Sequence, residues 1–204
     1  MASNRISTIR GLKIYGEKHK AIKALLESEE DAPEIHGDKV WFSSYFIIDY
    51  LLENPPPKKP KIMEIGCGWG LLGIFCAKEF KAKVIGVDAD KYVFPFLDLH
   101  AKENSVKIEH KVCRYEKLPA KLLAEQDLIL GGDICFWNEL VEPLLTLIKR
   151  ALRKKGMTLI IADPGRSPFM KLAKRCKKLF NAELLEVSIK KPTKEEGYLL
   201  IIKS

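Results

Sequence analysis

The chain predicts an α/β fold: a Rossmann-like, doubly wound, mostly parallel seven-stranded sheet with a C-terminal antiparallel hairpin and an N-terminal helical cap. Three observations carry this. Short apolar runs alternate with longer segments of helical spacing, the pattern of a parallel sheet wrapped by helices. A glycine-rich stretch joins the first such run to the first such helix, where wound sheets place their ligand. The last two apolar runs have no helix between them, so they must pair antiparallel.

The elements follow in order. Residues 1–53 form a helical, substrate-side segment. Its first helix, over 18–30, carries Ile22, Leu25 and Leu26 on one face. Its second, over 41–52, carries Trp41, Tyr45, Ile48 and Leu52, with Ser43 or Ser44 as cap. The run Asn54-Pro55-Pro56-Pro57-Lys58-Lys59-Pro60 is a linker, because proline fixes φ and lacks the backbone donor. Residues 61–204 form the ligand-binding domain, the whole being one compact unit. Strands are predicted over 61–65, 83–87, 108–113, 127–130 and 157–162. Helices are predicted over 71–79, 92–104, 139–154 and 168–180. Pro95 and Pro143 fall near helix starts, where proline is tolerated. The stretch after residue 113 reads as irregular. Strands over 183–190 and 198–202 close the sheet.

Composition narrows the class. With 204 residues, 47% hydrophobic and 30% charged, the chain fits one globular domain. No stretch reaches the ~18–20 apolar residues of a membrane span. Residues 1–20 lack the apolar core of a signal peptide. The five cysteines are odd in number and form no Cys-x-x-Cys pair, which points to a reducing cytoplasm rather than disulfides or a structural zinc site. The four histidines show no metal spacing. A formal charge of +8 permits acidic partners, nucleic acid included, but a lysine-rich solvated surface is the better explanation.

The informative segment is Glu64-Ile65-Gly66-Cys67-Gly68-Trp69-Gly70. Glycines there let bare main chain turn tightly and touch a ligand, and the following helix adds free N–H groups. Asp88 ends the next strand, where a carboxylate can accept from both ribose hydroxyls of an adenosine. Gly68 to Gly73 also satisfies the dinucleotide pattern G-x-G-x-x-G. Against a dinucleotide stand Glu64, which would face a pyrophosphate, the closing hairpin, and the lack of chain for a substrate domain. Glu64 suits instead the cationic amino-acid portion of S-adenosylmethionine. On these residues the chain resembles a class I S-adenosylmethionine-dependent methyltransferase from about residue 37 to the end.

A narrower resemblance follows. Val40-Trp41-Phe42-Ser43-Ser44 is similar to the V-W-x-[AS]-[AS] entry of the seven-strand protein lysine methyltransferases, the methyltransferase-21 and electron-transfer-flavoprotein lysine methyltransferase group. The run from Asp127 to Phe136 looks like their D-L-I-L-G-A-D-x-x-Y, and Asp163-Pro164-Gly165-Arg166 is similar to a stretch found in some members. The resemblance implies cofactor contacts at Trp41, Gly66, Cys67, Gly68, Asp88 and Gly132, beside Glu64 and Gly70 of the loop. It places Tyr115 near the adenine, where the family has tryptophan and glycine. The family's final tyrosine is Phe136 here, so no tyrosine hydroxyl is available at that position.

The chemistry expected is methyl transfer to a lysine nitrogen of a protein, by a monomer. Asp133 is expected to bind and orient the incoming amine, with Phe136 and Trp137 as an aromatic wall and Arg166 at the rim. Each has a plainer reading: Asp133 a cap or loop anchor, Trp41, Phe136 and Trp137 core packing, Arg166 part of a turn. Alternatives on the same scaffold are a small-molecule methyltransferase and a cofactor-binding protein without turnover. A nucleic-acid substrate is disfavoured, since the slot Asp133-Ile134-Cys135-Phe136 lacks the prolines of the base-amine motif.

Overall fold

The computed structural model describes residues 5–28 and 41–204. The end of the predicted first helix and Val40 of the tryptophan motif lie outside them. The chain opens with an element the sequence reading lacked. Strands β1 (Ile6–Ile9) and β2 (Leu12–Tyr15) form a hairpin in register Ile9↔Leu12. Arg10 and Gly11 turn it with φ of 50° and 76°, the mirror-image geometry that matches strand twist. Strands of only four residues leave too short a period to read. Helix α1 (Lys20–Ser28) follows and packs Ile22 against Trp69 and Phe96.

Helix α2 (Ser43–Glu53) starts two residues later than its spacing predicts. Trp41 therefore precedes it, and Leu52 points to solvent while Tyr45, Phe46, Ile47, Ile48 and Leu51 are buried. No serine side chain caps it. Its first amide, Ser43 N, instead donates to Asp133 Oδ2 at 3.2 Å, ninety residues away.

Beyond the proline linker, β3 (Lys61–Ile65), α3 (Leu71–Glu79), β4 (Lys83–Asp88), α4 (Phe94–Glu103) and β5 (Glu109–Val112) alternate. The stretch read as irregular holds a short helix, α5 (Ala120–Ala124). Then come β6 (Leu128–Gly132), α6 (Val141–Ala151), β7 (Thr158–Asp163), α7 (Ser167–Leu179), β8 (Asn181–Ile189) and β9 (Glu195–Lys203). The seven-stranded sheet runs β5-β4-β3-β6-β7-β9-β8. Its first five strands are parallel, and β9 enters antiparallel between β7 and β8. The sheet order reverses between β3 and β6, the crevice where wound sheets bind ligands. One apolar layer forms between the sheet and α2, α3 and α4, and a second on the opposite face with α6 and α7.

The β1–β2 hairpin is fastened to α4 by polar contacts. Asn104 exchanges hydrogen bonds with Lys13, donating from Nδ2 to its carbonyl at 2.8 Å and accepting its amide at 2.9 Å. Tyr15 N donates to His100 Nε2 at 3.3 Å, and His100 Nδ1 lies 2.8 Å from the Phe96 carbonyl. The fully buried imidazole thus fits as a neutral ring with one donor and one acceptor.

Candidate active site

The carboxyl ends of β3 and β6 open onto a cavity of about 440 Å³. Its glycine wall is tightly wound. Cys67 N donates to Val87 O at 3.1 Å and Gly70 N to Cys67 O at 2.7 Å. Gly66, Gly68 and Gly70 take φ of 63°, 49° and 72°, a region that side chains disfavour. Trp69 lies beneath the turn, stacked on Phe96 at 5.4 Å and on His100 at 5.3 Å.

Two carboxylates flank this loop. Glu64 is 3% exposed and accepts Gly73 N at 2.8 Å. Burial outweighs that bond and pushes it up to about 8, with Asp88 adding repulsion. Gly73 is glycine for space: a Cβ there would come 2.7 Å from Glu64 Oε2. Asp88 accepts Gly68 N at 3.0 Å and Asp90 N at 3.1 Å. Burial raises it as well, against those amides. Among the described residues neither carboxylate has a cation within 4 Å.

At the opposite end, Asp133 is 4% exposed and held at φ 56°, a left-handed conformation that aspartate tolerates better than most residues. Oδ2 caps α2 through Ser43 N, and Oδ1 accepts from Arg166 Nη1 at 2.6 Å. The same Nη1 donates to Asp163 Oδ2 at 2.8 Å. The guanidinium lies 4.5 Å from the Phe136 ring and 5.7 Å from the Trp41 ring. Those two rings meet edge to face at 5.3 Å. Burial pulls Arg166 down, but Asp133 and Asp163 outweigh it and leave it raised.

The cavity brings together every residue singled out in the sequence except Arg166. Trp41, Glu64, Gly66, Cys67, Gly68, Gly70, Asp88, Tyr115, Gly132, Asp133, Phe136 and Trp137 all line it. Arg166 stands behind Asp133. Trp137 is 48% exposed at the mouth, and among the described residues the buried Tyr115 hydroxyl has no hydrogen-bond partner. Sequence reasoning missed Trp69, Arg114 and Glu139, and it gave Asp133 a cap on a following helix where the helix it caps is α2, ninety residues earlier. Trp69 lies inside the glycine motif, so its position was signalled. Arg114 precedes a 3-10 turn in the stretch read as irregular, and Glu139 lies in a 3-10 turn where the helix over 139–154 was predicted to begin, with nothing to mark it as facing the cavity. Among the described residues no cluster of His, Cys, Asp and Glu is arranged for a metal ion.

The site suits S-adenosylmethionine on its own geometry. A Cβ on Gly68 would meet nothing within 4 Å, so that main chain faces open space. The buried Glu64 and the half-buried Asp88 offer acceptors, and on ionisation compensating charge, to a cationic ligand. Asp88 uses two of about four acceptor positions, which leaves others for hydroxyls. The fold is shared with solved methyltransferases. A protein from Listeria monocytogenes assigned to the class I S-adenosylmethionine-dependent methyltransferases superposes with a TM-score of 0.60 at 20% identity, covering 89% of this chain and 66% of that one. Fold and site together define a class I methyltransferase with S-adenosylmethionine as its cofactor.

Within that class the lysine methyltransferase family model matches residues 20–176, and the chain belongs to this family. The electron transfer flavoprotein beta subunit lysine methyltransferase of Xenopus laevis is 26% identical over 174 residues, 81% of this chain and 68% of that one. The ubiquinone biosynthesis O-methyltransferase of Pelagibacter ubique is 33% identical over 107 residues, 52% of this chain. The chain spans 43% of the length of that relative.

Proposed function

We propose that this chain methylates a lysine side-chain nitrogen of a protein substrate. The observation that supports it most is the lysine methyltransferase family match, which spans the glycine loop, Asp88 and Asp133. The bound sulfonium supplies an electrophilic methyl group, and the protein supplies position, worth up to ~7–11 kcal/mol of barrier. Glu64 meets the amino-acid portion of the cofactor, Asp88 the ribose, and Tyr115 the side of the adenine. Trp41, the backbone of Gly66 to Gly70, and Gly132 complete the cradle. Asp133 accepts a hydrogen bond from the incoming amine and aims its lone pair. Phe136 and Trp137 wall the acceptor end, where aromatic faces favour an amine that gains methyl groups and charge. A free lysine pays roughly 4–5 kcal/mol to deprotonate at pH 7, and desolvation in this pocket reduces that cost.

Labelled cofactor added to cell extract, followed by gel separation, tests the reading. Label in a protein band, mapped to lysine, supports it. Label confined to molecules that pass a small-pore filter supports the second reading, a small-molecule methyltransferase, favoured by the similarity to the ubiquinone biosynthesis enzyme. Cofactor uptake with no labelled product leaves a binding protein. Five free cysteines fit a reducing cytoplasm. No described helix is long and apolar enough to cross a membrane.

A further inference from the structure

Two buried carboxylates converge on a single nitrogen. Asp133 Oδ1 and Asp163 Oδ2 lie 2.6 and 2.8 Å from Arg166 Nη1, so the two oxygens are within the sum of those lengths, about 5.4 Å, of each other. Their side chains are 3% and 1% exposed. Like charges this close in a buried site cannot both persist without a cation, and one of them binds a proton. Among the described residues no second cation stands beside them, and burial already holds Asp163 above the usual carboxylate range, against the pull of Arg166 and two backbone amides. Asp133 also meets the Ser43 amide, Asp163 the amides of Gly165 and Arg166, and the Cys135 thiol lies near Asp163 and Arg166. The rings of Phe136 and Trp41 hold the guanidinium from its faces.

We propose that Arg166 is the positioning residue for Asp133: it lets both carboxylates stay ionised side by side, and so keeps Asp133 an acceptor for the incoming amine. The functional part rests on the reading that Asp133 meets the methyl acceptor. The protonation part does not. A protonated Asp133 would present a hydrogen to the amine in place of a lone pair, and Arg166 would act on the reaction without touching either reactant.

The test uses carbon NMR of the aspartate carboxyls in the full chain. In Arg166→Met a proton step shared by the two carboxyls appears near neutral pH, and in Arg166→Lys, which keeps the charge, it does not. Asp163→Asn in the Arg166→Met background removes the repulsion and abolishes the step. Its carboxamide oxygen still accepts the Gly165 and Arg166 amides. If Arg166→Met fails to fold, the double variant folding where the single does not gives the same support. A flat titration in folded Arg166→Met, or a double variant no better than the single, overturns the proposal. Labelling of extract proteins adds the functional arm. Arg166→Met loses about tenfold or more of the rate at pH 7 and recovers it toward pH 9, as when only about one carboxylate in ten stays ionised at the lower pH, with cofactor affinity unchanged. If the NMR step appears but the labelling loss is equal at both pH values, Asp133 does not serve the acceptor, and the functional part falls while the wild-type band upholds the lysine reading. If the wild type labels no protein, the lysine reading falls on its own.

Discussion

Glu64 and Gly73 are a matched pair, and the match is steric before it is electrostatic. The carboxylate oxygen occupies the space of a Cβ, with Val84 Cγ1 closing the other side at 3.0 Å. Gly73→Ala is expected to cost about 1–3 kcal/mol through overpacking. A urea midpoint that does not fall would show that the loop yields instead. Glu64 also makes the cofactor reading measurable. Its carboxyl sits near 8 in the free protein, chiefly through burial, so at pH 7 it is mostly protonated. A cationic amino group beside it favours the carboxylate, so uptake of S-adenosylmethionine at pH 7 is expected to release a proton. Affinity should then rise as pH climbs toward 8. Calorimetry in phosphate and in Tris reads this as different apparent enthalpies, and Glu64→Gln should make them equal. Equal enthalpies in the unaltered protein would place Glu64 away from the ammonium group. The composition of this loop made the ligand end legible in the sequence. The acceptor end was named residue by residue, but its bond from Arg166 to Asp133 was not legible, because the two are separated by 33 residues and meet only when β6 and β7 lie side by side.

Among the elements, β3 and α3 fall where the spacing put them, since a proline linker and a glycine loop bracket them sharply. The β1–β2 hairpin was invisible because its stability is borrowed from α4. Leu12 and Ile14 are its only deeply buried side chains, and His100, Glu103 and Asn104 hold it by polar bonds. That dependence carries a pH signature. Burial holds the His100 imidazole below its usual range, outweighing the Phe96 carbonyl and Glu103. Its stabilisation is therefore complete above about pH 6.5, the unfolded value, and is lost as pH falls through the lower folded value. A second proton would also remove the acceptor that Tyr15 N uses. Hydrogen exchange at the Tyr15 amide, corrected for intrinsic rate, should quicken below pH 6.5. His100→Gln, which retains a donor and an acceptor, should flatten the response. An amide equally protected at pH 5 and pH 7 would exclude this coupling.

For the molecule as a whole, the strand that completes the sheet is the last one made. β9 fills the gap between β7 and β8, and Leu199, Leu200, Ile201 and Ile202 are each at most 3% exposed. Four such side chains contribute roughly 6–12 kcal/mol of burial, comparable to the entire stability of a domain. A chain stopped after Lys194 is expected to show no cooperative unfolding transition by calorimetry and to elute as aggregate, because β7 would become an open, apolar edge. A sharp transition in that truncation would refute the estimate. The wound architecture was legible throughout because each βα unit declares itself locally. What escaped were tertiary joints between distant segments, and the bond from Ser43 N to Asp133 Oδ2 is the longest reaching of those around the cavity. Its consequence lies in biosynthesis. The greasy turn Tyr45-Phe46-Ile47-Ile48 leaves the ribosome early, yet the carboxylate that tethers its start, and the strands that will cover it, are translated much later. During that interval the nascent polypeptide exposes an apolar segment, and a chaperone holding residues 43–53 until β6 and β7 emerge would shield it.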